Sequence, residues 1–274
     1  MSDSESDSET YKDDMDDISH LLNNINFNTR DDIKDFLIVL GSGASVDSGL
    51  PTYRGPEGIY TNDDFDPETF FSKISIKNDI DKVWEFFNPL LKQTIQCSPG
   101  PTYTTINDLL KKYPNSFIIT QNIDGLIYKV IDESKFIEIH GNNRNMICVN
   151  KNCQLIQPIN LDKPSCDCGF WCRPDIVCYG ESLDTKKVRR CNIETKKFYK
   201  YVLVIGTTLQ FGYLKTFVEN AKRRFAKVIH INPDINYMTN VRDNEYWIKM
   251  ASEPGIKMVM EVLDKRLNKN DDNK

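Results

Sequence analysis

A small set of side chains in this chain has the types and spacing to do chemistry. Cysteines crowd at Cys148, Cys153, Cys166, Cys168 and Cys172. Two thiol pairs separated by about 12 residues have the outline of a zinc ribbon. Four thiolates would close the coordination sphere and leave no position for water, so such a zinc builds structure and performs no catalysis. Thiols this dense without a metal would be liabilities to oxidation. Cys97, Cys178 and Cys191 read as ordinary buried or half-buried thiols. Of the three histidines, His20 lies in a polar tail and His230 inside the apolar run Val228 to Ile231. His140 alone ends an apolar run beside a glycine, where a general base would need to sit. Gln121, Asn122 and Asp124 follow another apolar run, and polar side chains there would line a ligand crevice. Gly41, Ser42, Gly43, Ala44 and Ser45 follow a third. Residues this small let a backbone approach an anion and aim N–H groups at it.

These groups need a sheet beneath them. Phe36 to Leu40 is almost unbroken in its apolarity, as expected of a strand buried on both faces of a parallel sheet. Phe117 to Thr120, Phe136 to Ile139, Tyr201 to Ile205 and Lys227 to Ile231 repeat the pattern. The last two run into Gly206-Thr207-Thr208 and Asn232-Pro233, again short polar loops at strand ends. A strand followed at once by a small-residue loop is the dinucleotide-binding arrangement. Two parts of the dehydrogenase version are missing. Val46 occupies the position of the third glycine, and the acidic ribose partner would fall near Asp63 or Asp64, in a polar segment unlike a strand end. The pattern favours a nucleotide ligand over hydride transfer. Between the strands, Val83, Phe86, Phe87, Leu90, Leu91 and Ile95 recur at helical spacing, with Pro89 expected to kink or split that helix. Ile106, Leu109 and Leu110 mark a second helix, Lys186 to Lys200 a solvated basic one, and Ile256, Val259, Val262, Leu263 and Leu267 the last.

The net charge of −5 is unevenly placed. Residues 1–17 hold eight acids against Lys12, a net of −7, so the remainder stands at +2. A general affinity for nucleic acid is not implied. Residues 1–30 are expected to be a disordered acidic tail. No apolar run approaches the roughly 20 residues of a membrane-spanning helix, and the N-terminus does not resemble a signal peptide. The expectation is an intracellular protein, nuclear or cytoplasmic, without membrane association.

Taken together, the motifs resemble the sirtuin family of NAD-dependent protein deacylases, over about residues 31 to 265. Gly41 to Ser45 with Gly49 to Arg54 resembles its first NAD-binding loop, Thr120 to Leu126 its most specific motif, and Ile139-His140-Gly141 its catalytic histidine. The cysteine cluster, Arg173 to Glu181, Gly206 to Leu209 and Asn232 follow in family order. The resemblance implies an α/β fold: a Rossmann-like parallel sheet with a smaller lobe made of a zinc-binding module and a helical insertion. The large domain would comprise 31–54, 101–141 and 176–265, the insertion 55–100, the zinc module 142–175, and a frayed tail 266–274. NAD would be held by Gly41, Ser42, Gly43, Ala44, Ser45, Tyr53, Arg54, Gln121, Asn122, Asp124, Gly206, Thr207, Thr208 and Asn232. His140, Asn122 and Asp124 would be catalytic, and an acyl-lysine protein would add as a strand beside Val177, Cys178, Tyr179 and Gly180. The acyl oxygen would attack the nicotinamide-bearing ribose carbon, and His140 would activate a ribose hydroxyl to complete acyl transfer to ADP-ribose. An NAD glycohydrolase or mono-ADP-ribosyltransferase, and a non-catalytic binding module, are the competing readings on the same fold.

This chain departs from the family pattern in several places. Thr52 stands for an aspartate, Ile127 for a histidine, Cys178 for a tryptophan and Tyr179 for a phenylalanine. One zinc per chain is implied, on Cys148, Cys153, Cys166 and Cys168. Cys166 is one residue too close to Cys168 for the usual spacing, so Cys172 is an alternative to either. The first loop resembles that of enzymes removing acidic acyl groups, yet the positions expected to bind the acid are Phe87 and Leu90. The expectation is therefore a preference for acetyl or longer apolar acyl-lysine over succinyl-lysine.

Overall fold

The apolar runs become strands of one sheet. The computed structural model describes residues 15–20, 34–53, 58–59, 72–162, 164–234 and 245–271. β1 (Lys34–Leu40), β2 (Phe117–Thr120) and β3 (Phe136–Glu138) form one half, and β7 (Tyr199–Ile205), β8 (Lys227–Ile231) and β9 (Glu245–Ile248) the other. Their order is β3-β2-β1-β7-β8-β9, with every neighbouring pair parallel. The chain reverses direction across the sheet between β1 and β7, and open α/β sheets bind ligands at that point, outside the carboxyl ends of the strands. The polar loops after β1, β2 and β7 all open there.

Alternation along β1 splits the core in two. Phe36, Ile38 and Leu40 bury against α4 (Pro101–Lys112) and α7 (Ser252–Asp271), with Tyr103, Ile106, Leu109, Val259 and Leu263 in the same cluster. Leu37 and Val39 face the opposite side, with Cys191 of α5 (Thr185–Thr195) and Leu214 and Phe217 of α6 (Gly212–Lys222). Side chains of a strand point alternately to the two faces, so a run apolar at every position is what a sheet covered on both sides requires.

The small lobe has a different construction. β4 (Gly141–Cys148), β5 (Ile156–Pro158) and β6 (Cys172–Ile176) make an antiparallel sheet in the order β5-β4-β6. Beside it stand α2 (Lys73–Asn78), opened by a reciprocal Ser72–Ser75 capping box, and α3 (Ile80–Gln96), capped by Asp79. The Trp84 indole donates to the Cys172 carbonyl at 2.8 Å and ties α3 to the sheet.

Three expectations need correction. Of the kink or split expected at Pro89, the split does not occur: α3 is one continuous helix through it. Proline forfeits one helical hydrogen bond, while Val83, Trp84, Phe87 and Leu91, on both sides of it, are buried and hold the helix in place. Within the segment expected to be a disordered tail, residues 15–20 form a helix, α1, and Ile18 is fully buried in the core cluster with Met15 packed against it. Composition misleads here because Asp16 and Asp17 lie on the exposed side of that helix. The last helix runs to Asp271, beyond the expected frayed start at 266, with no glycine or proline after Gly255 to stop it. β9 is an addition, since Glu245-Tyr-Trp-Ile248 is too short and mixed to stand out as a strand. Among the described residues no helix is long and apolar enough to cross a membrane.

Candidate active site

At the end of β1 the chain enters a short 3₁₀ helix, Ser42–Ser48, closed by Gly49 in the left-handed conformation. This loop leans directly on the loop after β7. The Gly41 amide donates to Ile205 O at 2.9 Å and the Gly43 amide to Gly206 O at 3.0 Å. A Cβ on Gly43 would lie 2.7 Å from the Gly206 Cα, and one on Gly206 would lie 2.5 Å from the Ala44 amide nitrogen. Both are backbone contacts with nothing flexible to give way, so the residues here are glycine for packing reasons. Gln121 reaches across from β2 and donates to Thr207 Oγ1 at 2.6 Å. That oxygen also accepts from the Leu209 amide at 3.1 Å.

Asn122 is the hub. Its amide nitrogen donates to Gly41 O at 2.9 Å and to Tyr103 Oη at 3.1 Å, and lies 3.3 Å from Ser45 Oγ. Ser45 Oγ donates to Asp124 Oδ2 at 2.7 Å, and the Leu126 amide fixes the other carboxylate oxygen at 2.9 Å. Burial raises the Asp124 carboxyl above the usual range, against those two hydrogen bonds. The Asn122 Oδ1 is left buried with no hydrogen-bond partner. A buried amide oxygen without a donor costs about 1–3 kcal/mol, and a ligand amide entering the cleft would relieve it. Sequence reasoning missed Tyr103, because a tyrosine at an apolar helix position reads as core. Its hydroxyl holds Asn122 and Ser45 together.

His140 follows β3 directly. Its Nδ1 lies 3.0 Å from the Gln121 carbonyl, which can only accept, so Nδ1 carries the proton and Nε2 keeps its lone pair. Burial pushes the imidazole down to about 4, leaving it neutral at physiological pH. A neutral ring with one nitrogen anchored is poised to take a proton at the other. That other nitrogen meets the Tyr213 hydroxyl, which sequence reasoning did not single out.

The remaining expected residues fall as follows. The Tyr53 amide reaches Ser42 Oγ at 3.5 Å, and burial beside Asp124 raises the Tyr53 phenol further above its ordinary value. Arg54 lies outside the described residues. Thr208 is half-buried after β7. Asn232 ends β8 one strand further out, with its amide on Ile248 O at 3.1 Å. Val177 donates to the His140 carbonyl at 2.8 Å, and the Lys73 amide donates to Tyr179 O at 3.0 Å. Cys178 is buried with its amide on Glu181, which is also paired with Arg173, and Gly180 has φ +77°. Trp84, Phe87, Leu91, Ile176 and Cys178 form one buried cluster, with Ile123 and Tyr179 against it. Leu90, expected beside Phe87, is half-exposed and outside that cluster, and Leu91 takes its place.

The thiols of Cys148, Cys153, Cys166 and Cys168 converge, all within 4.8 Å of one another. Two of the pairs, Cys148 with Cys168 and Cys153 with Cys166, are 3.5 and 3.7 Å apart. Tetrahedral zinc with sulfur at about 2.3 Å needs sulfurs about 3.8 Å apart, so the four fit that ion. The Phe170 amide holds the Cys168 thiol down at about 7, while burial pushes the Cys148 thiol up to about 12 against the Asn150 amide, which points at its sulfur from 3.4 Å. Both amides favour the thiolate that a metal requires. Cys172 is not in the group: it is fully buried and accepts from Gln157 Nε2 at 3.2 Å.

Comparison with known proteins agrees with this geometry. The family model described as the Sir2 family matches residues 41–212. An NAD-dependent protein deacylase of Aquifex aeolicus is 29% identical over 81% of this chain and 92% of its own length. One from Leptospira interrogans is 32% identical, over 75% of this chain and 84% of its own. A solved Sir2 enzyme superimposes with a TM-score of 0.76 at 25% identity, covering 93% of this chain and 99% of that one. The glycine loops after β1 and β7, the hub at Asn122 and the four-thiol module all lie within the matched residues 41–212, and the chain belongs to the Sir2 family.

Proposed function

We infer that this protein is an NAD-dependent protein lysine deacylase that moves an acyl group from acyl-lysine to ADP-ribose with release of nicotinamide. The observation that carries the reading is the Asn122 hub: a buried amide with a free oxygen, braced by Ser45, Tyr103 and Asp124, beside a neutral histidine with its tautomer fixed. The deacylase names of the relatives support the same chemistry. NAD would supply the ribose carbon that accepts the acyl oxygen and the hydroxyl that takes over the acyl group. Gly41 to Ser45, Tyr53, Arg54, Gln121, Gly206, Thr207, Thr208 and Asn232 would bind it. Asn122 and Asp124 would orient the leaving amide, and His140 Nε2 would take the hydroxyl proton. Zinc would be structural, because four thiolates leave no open position.

The acyl-lysine would enter beside Val177 to Gly180, reaching the apolar cluster around Phe87, Leu91 and Cys178. A carboxylate pushed there would lose water without a charged partner, whereas an apolar chain would gain contact. Nicotinamide release from NAD, measured with and without an acetyl-lysine peptide, tests the reading. Deacylation coupled to release, with O-acyl-ADP-ribose as product, supports it. Free ADP-ribose formed equally well without peptide would make the protein a glycohydrolase.

A further inference from the structure

The Tyr213 hydroxyl sits on the one nitrogen of His140 that is free to act as a base. Four observations bear on what it does there. Nδ1 is committed to the Gln121 carbonyl, so the phenol is the donor and Nε2 the acceptor. The tyrosine ring is itself fixed, stacked on Phe211 with centroids 5.6 Å apart and set edge-on to Phe217 at 6.0 Å. Phe211 and Tyr213 both meet the imidazole edge-on, at 5.3 and 5.9 Å. Tyr213 lies in the first turn of α6, a different element from the β2 and β3 ends that carry Gln121 and His140.

We propose that Tyr213 is a positioning residue for His140. Its hydroxyl holds the imidazole in the rotamer and tautomer that keep the Nε2 lone pair directed into the cleft, and gives up this place to the substrate hydroxyl. A buried imidazole with only one nitrogen bonded can turn over about its ring axis or exchange tautomers, and in either case the base points a C–H or N–H at the hydroxyl it should deprotonate. The loss of a correctly held tautomer is known to slow base catalysis without disturbing the fold. The proposal rests on the deacylase reading above, since it assigns Nε2 the base role.

The test is Tyr213→Phe, which removes the oxygen and keeps the ring that stacks on Phe211. Acyl transfer should slow by about tenfold or more in kcat, short of the about 10⁴-fold seen where the wrong tautomer is enforced. The KM for NAD and for acetyl-lysine peptide should stay within twofold (about the scatter of such measurements). Nicotinamide exchange, which precedes the step needing the base, should keep the wild-type rate. A merely structural tyrosine would lower exchange and acyl transfer together, and that result overturns the proposal. So does a variant that deacylates at or above the wild-type rate, since the hydroxyl then either does nothing or only blocks the base. Failure of the underlying reading is separate and shows in the wild type, which would then not deacylate at all.

Discussion

The cleft and the zinc module are held together by opposite means. Around the cleft the sheet is buried on both faces, and its loops are cross-braced by Gly43 on Gly206, Gln121 on Thr207 and Asn122 on Gly41. Among the described residues the module's own buried cluster is Met146, Cys148, Cys166 and Cys172, three of them cysteines, with Ile159 alongside. Its hydrophobes Leu155, Ile156, Phe170 and Trp171 stand exposed. A domain this poor in apolar burial needs another source of stability, and a metal on four thiolates is the available one. A metal there would make structure where burial is insufficient, while the candidate site sits at the strand ends of a sheet buried on both faces.

Removing zinc should break the comparison most severely. Binding energy at such a site is folding energy, about 10–16 kcal/mol in isolated zinc peptides. A strong chelator, or Cys148→Ser, should abolish activity and expose residues 142–175 to protease while the parallel sheet still melts cooperatively. Elemental analysis should give one zinc per chain in protein purified without chelators. The same analysis on Cys172→Ser should give an unchanged zinc content, because Cys172 lies outside the four.

On the cleft side, His140→Ala should leave the melting temperature near the wild-type value and lower acyl transfer by about 10²- to 10⁴-fold. Nicotinamide exchange should survive. Loss of zinc together with activity would instead mean that the base and the module are one folding unit.

Next in size is Ile18→Ala, in the core beneath the parallel sheet. Removing a fully buried isoleucine costs about 2–5 kcal/mol, read as a lower melting temperature with unchanged KM values. A truncation starting near Asn28 should show the same loss. Gly43→Ala follows, at about 1–3 kcal/mol for forcing a methyl against the Gly206 backbone, accompanied by a higher KM for NAD. The smallest effect concerns selectivity. On one peptide, succinyl-lysine should fall about tenfold below acetyl-lysine in kcat/KM, with myristoyl at or above acetyl, if the cluster around Phe87 takes the acyl chain without a cation.

The two regions also differed in how much the sequence disclosed. The strands of the parallel sheet were legible because burial on both faces forces apolarity at every position, and the loops because small and polar residues follow each strand at once. β9 was not legible, since four alternating residues carry no run. Tyr103 and Tyr213 were hidden for a different reason: at a helical position a tyrosine looks like packing, and only the fold shows its hydroxyl reaching another element. Ile18 was masked by its acidic neighbours. In the module the cysteine spacing alone left Cys172 open, and what removes it is a distance, which no one-dimensional pattern contains.

One backbone contact sets a limit on how such an enzyme could change. The Val177 amide hangs from the carbonyl of His140, so the residue proposed to take the proton also anchors the rail along which a substrate would lie. The rail and the base are one mechanical part with no slack between them. Loosening the segment to admit bulkier peptides would shift the imidazole by a comparable distance, and a misplacement of about 1 Å can cost a hundredfold in rate. New peptide preferences therefore have to come from side chains around a stationary rail, and a variant selected for a wider groove should lose rate before it loses affinity.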